Sequence, residues 1–321
     1  MRLISVEDIR DVYIKTCQRG VPFLFSKLSV SKENRTKSSF NQTDIPRAYW
    51  LTIPMVRERC NKLITGDETV EYEEYMSRKL ELSDFGVKML SVGSGVCSHE
   101  LKLAELNPNW DVTCVDFSEK LLDEAARTAR ASDLQNIHFV TENIYNYQLS
   151  ANEYDIVFFH ASLHHFKNMD MFLQKMHDAL NPSGRLVINE YVGARRMLYD
   201  KSQIAAVNTG LEMLDDRHKE IYKTRLKKER YYGSGWIRMV MSDPSECVES
   251  DRIMPVIHSL FRTVEEKGYG GNILMPLLKD LSHHFMEPTE ENKRLLRELF
   301  ELEDNYLQCH PSDFVFGIYE K

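Results

Sequence analysis

Val87-Lys-Met-Leu-Ser-Val-Gly-Ser-Gly-Val-Cys-Ser98 reads as a buried strand running into a tight glycine turn, with a helix starting at Cys97 or Ser98. Glycines at 93 and 95 remove side chains where backbone must approach a ligand, and the following helix aims free N–H groups at the turn. Further on, the apolar run Val112-Thr-Cys-Val-Asp-Phe-Ser118 ends in Asp116, which a parallel sheet places beside that turn. A carboxylate there can accept both hydroxyls of a ribose, so the pair reads as a nucleoside pocket. A dinucleotide fingerprint requires glycine at the sixth position of G-x-G-x-x-G, and Ser98 stands there instead.

Outward from this segment, strands and helices alternate. The pattern predicts strands over 87–92, 111–116, 137–141, 154–160 and 185–190, with helices over 98–106, 118–131 and 168–180 and a loop or short helix near 144–150. Such alternation makes a parallel sheet with helices on both faces, whose ligands bind beyond the carboxyl ends of the strands. After Glu190 the chain becomes polar and aromatic. Helical spacing covers 200–214 and the charged 216–230, and Ser242-Asp-Pro-Ser-Glu246 carries a helix-start signature. Strands resume at 261–268 and 313–319. Residues 1–80 read as a helical extension, with helices from Ile4, Met55 and Glu71, a short apolar run at 21–25 and a polar stretch at 31–44. The expected organisation is a cap over 1–80, a core over 81–190, a lid over 191–258, and a return to the core over 259–321 that carries a helical insertion at 270–312. The aromatic-rich extension serves either to roof the active site or to form a homodimer.

Length and composition bound this reading. The chain has 321 residues, enough for one large domain with an insertion or two small ones. Its 49 acids against 41 bases give a net charge of −8, so the total gives no support to a nucleic-acid surface. The six cysteines are scattered without C-x-x-C or zinc spacing, which fits free thiols. The amino terminus lacks the apolar core of a signal peptide and no apolar run is long enough for a membrane span, so the expected location is cytoplasmic. No metal is implied: the histidine pairs 164/165 and 283/284 are adjacent, and adjacent side chains diverge.

Several motifs in order resemble the class I S-adenosylmethionine (SAM)-dependent methyltransferases. Beyond the glycine turn and Asp116, they are Ile137-His-Phe-Val-Thr-Glu-Asn143-Ile144, Tyr154-Asp-Ile-Val-Phe-Phe-His160 and Leu180-Asn-Pro-Ser-Gly184. The resemblance implies a Rossmann-like fold with a mostly parallel seven-stranded sheet and a reversed last strand. It implies SAM as cofactor and S-adenosylhomocysteine as product. By position, Gly93, Ser94, Gly95, Asp116, Phe117, Asn143, Ile144 and His160 become the cofactor residues, Asn143 standing where the family usually has Asp. The family's acid at the start of the glycine motif is Ser91 here, and its third glycine is Cys97. The flanking segments Trp50–Arg59, Asn189–Gly193, Asp243–Glu246 and Tyr269–Gly271 resemble a bacterial subgroup associated with surface-glycan and sugar modification, which implies a hydroxyl on a small polar acceptor.

Methyl transfer to an alcohol needs donor and acceptor in line and a base for the hydroxyl proton. His164, His165, Glu190 and Tyr191 follow strands four and five and are the candidates; each also has a structural alternative, such as capping, packing or ion pairing. Arg195, Arg196 and Arg238 could clamp a phosphate, and Tyr231, Tyr232 and Trp236 could stack on a sugar or pack a lid. Competing readings are methylation of an amine or carboxylate, which needs no strong base, and a SAM-binding regulatory or scaffold subunit. Nicotinamide-dependent oxidoreduction is disfavoured by Ser98.

Overall fold

The computed structural model describes residues 2–19, 49–80 and 86–321. The apolar run at 21–25 and the polar stretch at 31–44 lie outside the described residues. The strands are β1 (Val87–Val92), β2 (Trp110–Asp116), β3 (Ile137–Thr141), β4 (Tyr154–His160), β5 (Leu180–Tyr191), β6 (Arg262–Gly270) and β7 (Phe314–Glu320). They form one sheet in the order β3-β2-β1-β4-β5-β7-β6, mostly parallel with the last strand reversed, as the resemblance implies. The reversal of strand order falls between β1 and β4, where an α/β sheet opens a crevice for ligands. Parallel register sets Ser91 beside Cys114 on one side and beside Phe158 on the other. The ends of β1, β2 and β4 therefore lie abreast.

The chain divides into two compact units, one of residues 64–192, 248–267 and 315–321, the other of 1–63, 193–247 and 268–314. In the first, the sheet buries one face against α6 (Met169–Ala179) and α9 (Ile253–Leu260), around Leu90, Val92, Val157, Phe159, Phe172 and Ile257. Side chains alternate along a strand. Ser91, Asp116 and His160 thus point to the opposite face, the side of α3 (Tyr72–Lys79), α4 (Ser98–Leu106) and α5 (Glu119–Ala131).

The second unit is helical. It comprises α1 (Val6–Arg19), α2 (Pro54–Thr65), α7 (Lys201–Glu212), α8 (Trp236–Ser242), α10 (Leu274–Leu278) and α11 (Glu290–Leu307). Its core holds Trp50, Val207, Leu211, Ile273, Leu277, Leu296 and Leu299. Helix α1 is inverted relative to an ordinary surface helix. Ile4, Val6 and Ile9 are well exposed, while Asp8 accepts the Gly235 N–H at 2.8 Å and Asp11 pairs with Arg238, Lys15 (2.9 Å) and Lys279 (3.0 Å). Burial alone would raise the Asp11 carboxyl, but the three cations hold it well below the usual range.

Three local expectations are corrected. The charged stretch 216–230 forms only a 3-10 turn, Asp216–Lys219, and an isolated bridge between Glu220 and Lys227. The cause is Lys228, whose buried ammonium donates to the carbonyls of Pro276 (2.7 Å), Leu277 (3.1 Å) and Lys279 (2.8 Å) and draws the segment out of helical geometry. The segment 242–246 starts no helix. Asp243 instead accepts from the Ser245 N–H at 2.8 Å, closing a turn, and the Arg196 guanidinium donates to the carbonyls of Pro244 (2.8 Å) and Glu246 (2.9 Å). Strand β5 begins at Leu180, because the Asn-Pro-Ser-Gly segment is accommodated as an irregularity: Tyr154 pairs with Leu180, and Ile156 next with Arg185.

Asp313 in the helical unit is buried, with Gln203 Nε2 donating to it at 2.7 Å, and burial pushes its carboxyl up to about 7. The folded value lies above the unfolded one. The folded state therefore holds the proton more tightly, and stability falls as pH rises from about 4 through about 7. We expect Asp313→Asn, which keeps an oxygen for Gln203, to remove a stability slope on the order of 4 kcal/mol across that window. Urea midpoints of both proteins at pH 4.5 and 8 check this; equal pH dependence in the two would exclude the assignment.

Candidate active site

The site begins at the glycine turn after β1. Gly93 and Gly95 take positive φ of 72° and 57°, and Cys97 adopts the left-handed conformation (φ 55°, ψ 30°) at the cap of α4. A Cβ at Gly93 would lie 2.9 Å from the Ser162 Cβ, whereas one at Gly95 would meet nothing nearer than Leu121 at 4.0 Å. The bend is therefore closed toward β4 and open above Gly95.

Asp116, at the tip of β2, is already tied to this bend. Its Oδ2 accepts the Gly95 N–H at 3.0 Å and its Oδ1 the Ser118 N–H at 2.7 Å. Burial pushes the carboxyl above its usual range, against the pull of the Ser118, Gly95 and Phe117 amides. The second apolar run thus delivers its carboxylate beside the turn, as the spacing predicts. Ile144 is buried after β3, while Asn143 is exposed and its Oδ1 accepts the Tyr145 N–H at 3.1 Å.

Ser91, where the family's acid is expected, donates to Glu100 Oε1 at 2.6 Å. Glu100 comes from the first turn of α4, is buried, and has its carboxyl pushed up by that burial. An acid thus occupies the floor of the bend after all, supplied by the helix instead of the strand. It accompanies a further cluster that the sequence reading missed. His160, at the tip of β4, bonds the Tyr72 hydroxyl through Nδ1 at 2.8 Å, and its ring lies 3.6 Å from that of His99. His99 in turn bonds Glu73 through Nδ1 at 2.7 Å. Burial, then the neighbouring His99, depress the His160 pKa well below the histidine range, so this imidazole is neutral at pH 7. Tyr72, Glu73 and His99 carry no motif. Only packing of α3 beside α4 brings them to His160.

Glu190 and His164 come together on the opposite side of the β4 tip. Glu190 is fully buried. Its Oε2 accepts the N–H groups of Ser162 (2.8 Å) and Leu163 (2.6 Å), and its Oε1 takes the Tyr191 N–H at 2.8 Å and His164 Nδ1. The Ser162 hydroxyl donates to the Val92 carbonyl at 2.8 Å. The 162–164 turn is thereby pinned from the ends of both β1 and β5. A carboxylate can only accept, so His164 Nδ1 carries the proton of this bond. His165 closes the same 3-10 turn, its N–H donating to the Ser162 carbonyl at 3.0 Å; Tyr191 is buried at the end of β5.

The chain matches the methyltransferase-domain family over residues 83–263, more than half its length, and belongs to that family. It is 24% identical over 148 residues to the demethylmenaquinone methyltransferase of Geobacillus sp. (strain WCH70), covering 44% of this chain and 63% of that protein. To the enzyme of the same name from Listeria welshimeri it is 25% identical over 130 residues, 40% of this chain and 55% of that one. The chain thus matches less than two thirds of the length of these relatives. The solved structure of Haemonchus contortus phosphoethanolamine N-methyltransferase 2 in complex with S-adenosyl-L-methionine aligns with a TM-score of 0.50 at 16% identity, over 92% of this chain and 60% of that one, a likeness of fold. The class is that of the SAM-dependent methyltransferases, with SAM as cofactor. The donor set fits SAM: a buried carboxylate at the β2 tip, a bend open above Gly95, and a second buried carboxylate at its floor. Among the described residues no helix is long and apolar enough to cross a membrane.

Proposed function

We propose that this protein transfers the methyl group of SAM to a hydroxyl of a small polar metabolite, a sugar, sugar nucleotide or phosphorylated glycan precursor, in the cytoplasm. The observation that carries the reading is the His164–Glu190 pair. A buried carboxylate that holds the Nδ1–H of an imidazole fixes the direction of its ring, and on this reading Glu190 stabilises the imidazolium formed when the ring takes the acceptor's proton. When bound, SAM supplies a methyl carbon already activated by its sulfonium. Asp116 holds the ribose hydroxyls, Gly93 and Gly95 admit the cofactor close to backbone, and Asn143 and Ile144 border the adenine. Glu100 with Ser91 offers a carboxylate at the floor of the bend. His164 removes the acceptor's proton as the new bond forms.

The names of the Geobacillus and Listeria relatives support a second reading, methylation of a ring carbon. That reaction also sheds a proton and would use the same base. Amine methylation needs no strong base, and a regulatory SAM-binding subunit needs none at all.

The test is His164→Asn, whose Nδ2 can replace Nδ1 in donating to Glu190 but which has no base. Formation of S-adenosylhomocysteine should be followed with panels of sugar nucleotides, hydroxylated quinones and primary amines. We expect turnover with a hydroxylated acceptor and a fall in kcat of about 10²- to 10⁴-fold in the variant, with SAM affinity unchanged. Turnover of amines alone, insensitive to the substitution, would refute the hydroxyl reading. Absence of any product with all three panels would favour the regulatory subunit.

A further inference from the structure

The helical unit contains a group of metal-ligating side chains away from the residues assigned above. Asp215 and His218 belong to one 3-10 turn, closed by the His218 N–H to the Asp215 carbonyl at 2.9 Å. Side chains three apart in such a turn eclipse, which brings the two to one side. Glu291 stands in the first turn of α11. One nitrogen of His218 and one carboxylate oxygen from each of Asp215 and Glu291 lie within 4.8 Å of one another.

The second, independent observation concerns the imidazole. His218 is 5% exposed, and its Nδ1 is buried without a hydrogen-bond partner among the described residues. Asn292 fixes which nitrogen carries the proton. Its Nδ2 donates to the carbonyls of His284 (2.8 Å) and Glu287 (2.9 Å), so its Oδ1 can only accept, and His218 Nε2 at 3.3 Å is the donor. The lone pair is then on Nδ1. An imidazole that gives one N–H to a fixed oxygen and keeps a buried lone pair, on a ring beside two carboxylates, has the arrangement of a metal-ligating histidine with its outer hydrogen bond in place.

Arg217 reaches both carboxylates, pairing with Glu291 and lying 3.9 Å from Asp215. The two acids already share one cation, and a metal would have to displace it.

We propose that Asp215, His218 and Glu291 form a site for a divalent first-row transition ion, Zn²⁺ being the best match, which ties the 216–219 turn to the start of α11. One imidazole and two carboxylates with water in the fourth position is a zinc donor set. Bonds of about 2.0–2.2 Å in a tetrahedron put ligand atoms about 3.3–3.6 Å apart, so the two acids need close by no more than about 1 Å on binding.

The test uses the full chain, stripped with a chelator and titrated with Zn²⁺ by calorimetry and with Co²⁺ by visible absorption. We expect one equivalent of Zn²⁺ and tetrahedral Co²⁺ bands. Asp215→Asn and Glu291→Gln, both at accessible side chains whose change leaves the core intact, should each weaken binding at least about 10-fold. Arg217→Ala should tighten it, because the competing guanidinium is gone; a merely structural cluster would not respond this way. Zn²⁺ affinity unchanged in the two acid variants, weakened by Arg217→Ala, or absent in the parent protein would each overturn the site. None of these readouts depends on methyl transfer.

Discussion

Asp116→Ala is expected to weaken SAM binding by about 100-fold or more, about 3 kcal/mol, the loss of two charge-assisted hydrogen bonds to ribose hydroxyls. The carboxylate is pre-positioned: Gly95 and Ser118 amides hold its two oxygens before any ligand arrives. The substitution therefore removes the brace that orients the bend together with the proposed ligand contact. Asp116→Asn separates the two effects, because its single carbonyl oxygen keeps one brace while its amide donates where a ribose hydroxyl would donate. Calorimetry with SAM and with S-adenosylhomocysteine reads the outcome, and a melting curve controls for folding. Cofactor affinity within about threefold of the parent in both variants would show that the nucleoside lies elsewhere.

Glu190→Gln should be the more damaging change to the fold. The carboxylate accepts four hydrogen bonds with two oxygens and donates none. An amide of the same shape keeps one oxygen. Its NH₂ must face either the Ser162 and Leu163 N–H groups or the Tyr191 N–H and His164 Nδ1, leaving at least two buried donors opposed by another donor. At about 1–3 kcal/mol for each buried group left unsatisfied, the loss is about 3 kcal/mol or more, which for 321 residues lowers the melting temperature by about 5 °C or more. Turnover should fall with it, because the 162–164 turn loses its anchor and His164 its fixed direction. A variant with unchanged melting temperature and lost turnover would assign Glu190 to proton transfer directly. Unchanged values of both would remove it from the site altogether.

The strands of the core were legible because each is a run of apolar residues bounded by turn chemistry, and a parallel sheet leaves few ways to join them. Asp116 was legible for a related reason: a charge ending a buried strand needs a partner. What escaped was anything made by packing between separate segments. Glu100 looks like an ordinary first-turn acid of α4, and only the structure shows its carboxylate against Ser91. Tyr72, Glu73 and His99 are polar residues on helices until α3 and α4 are set side by side. Glu190 reads equally as a base or as an ion-pair partner of Arg195 or Arg196, and its role as a brace escapes because four donors converging on one carboxylate leave no trace in sequence. The helical pattern over 216–230 misled because it counts charges as solvent-facing, and Lys228 is not.

Helix α1 bears on how the protein can be handled. Its outward greasy side invites trimming to improve behaviour in solution, yet its inward side supplies Asp8 and Asp11, the counter-ions of Arg238. Cutting away residues 2–19 would remove both counter-ions of a guanidinium that is 13% exposed with them in place. Shortened versions for expression should therefore keep this segment and swap its solvent-facing isoleucines for polar residues.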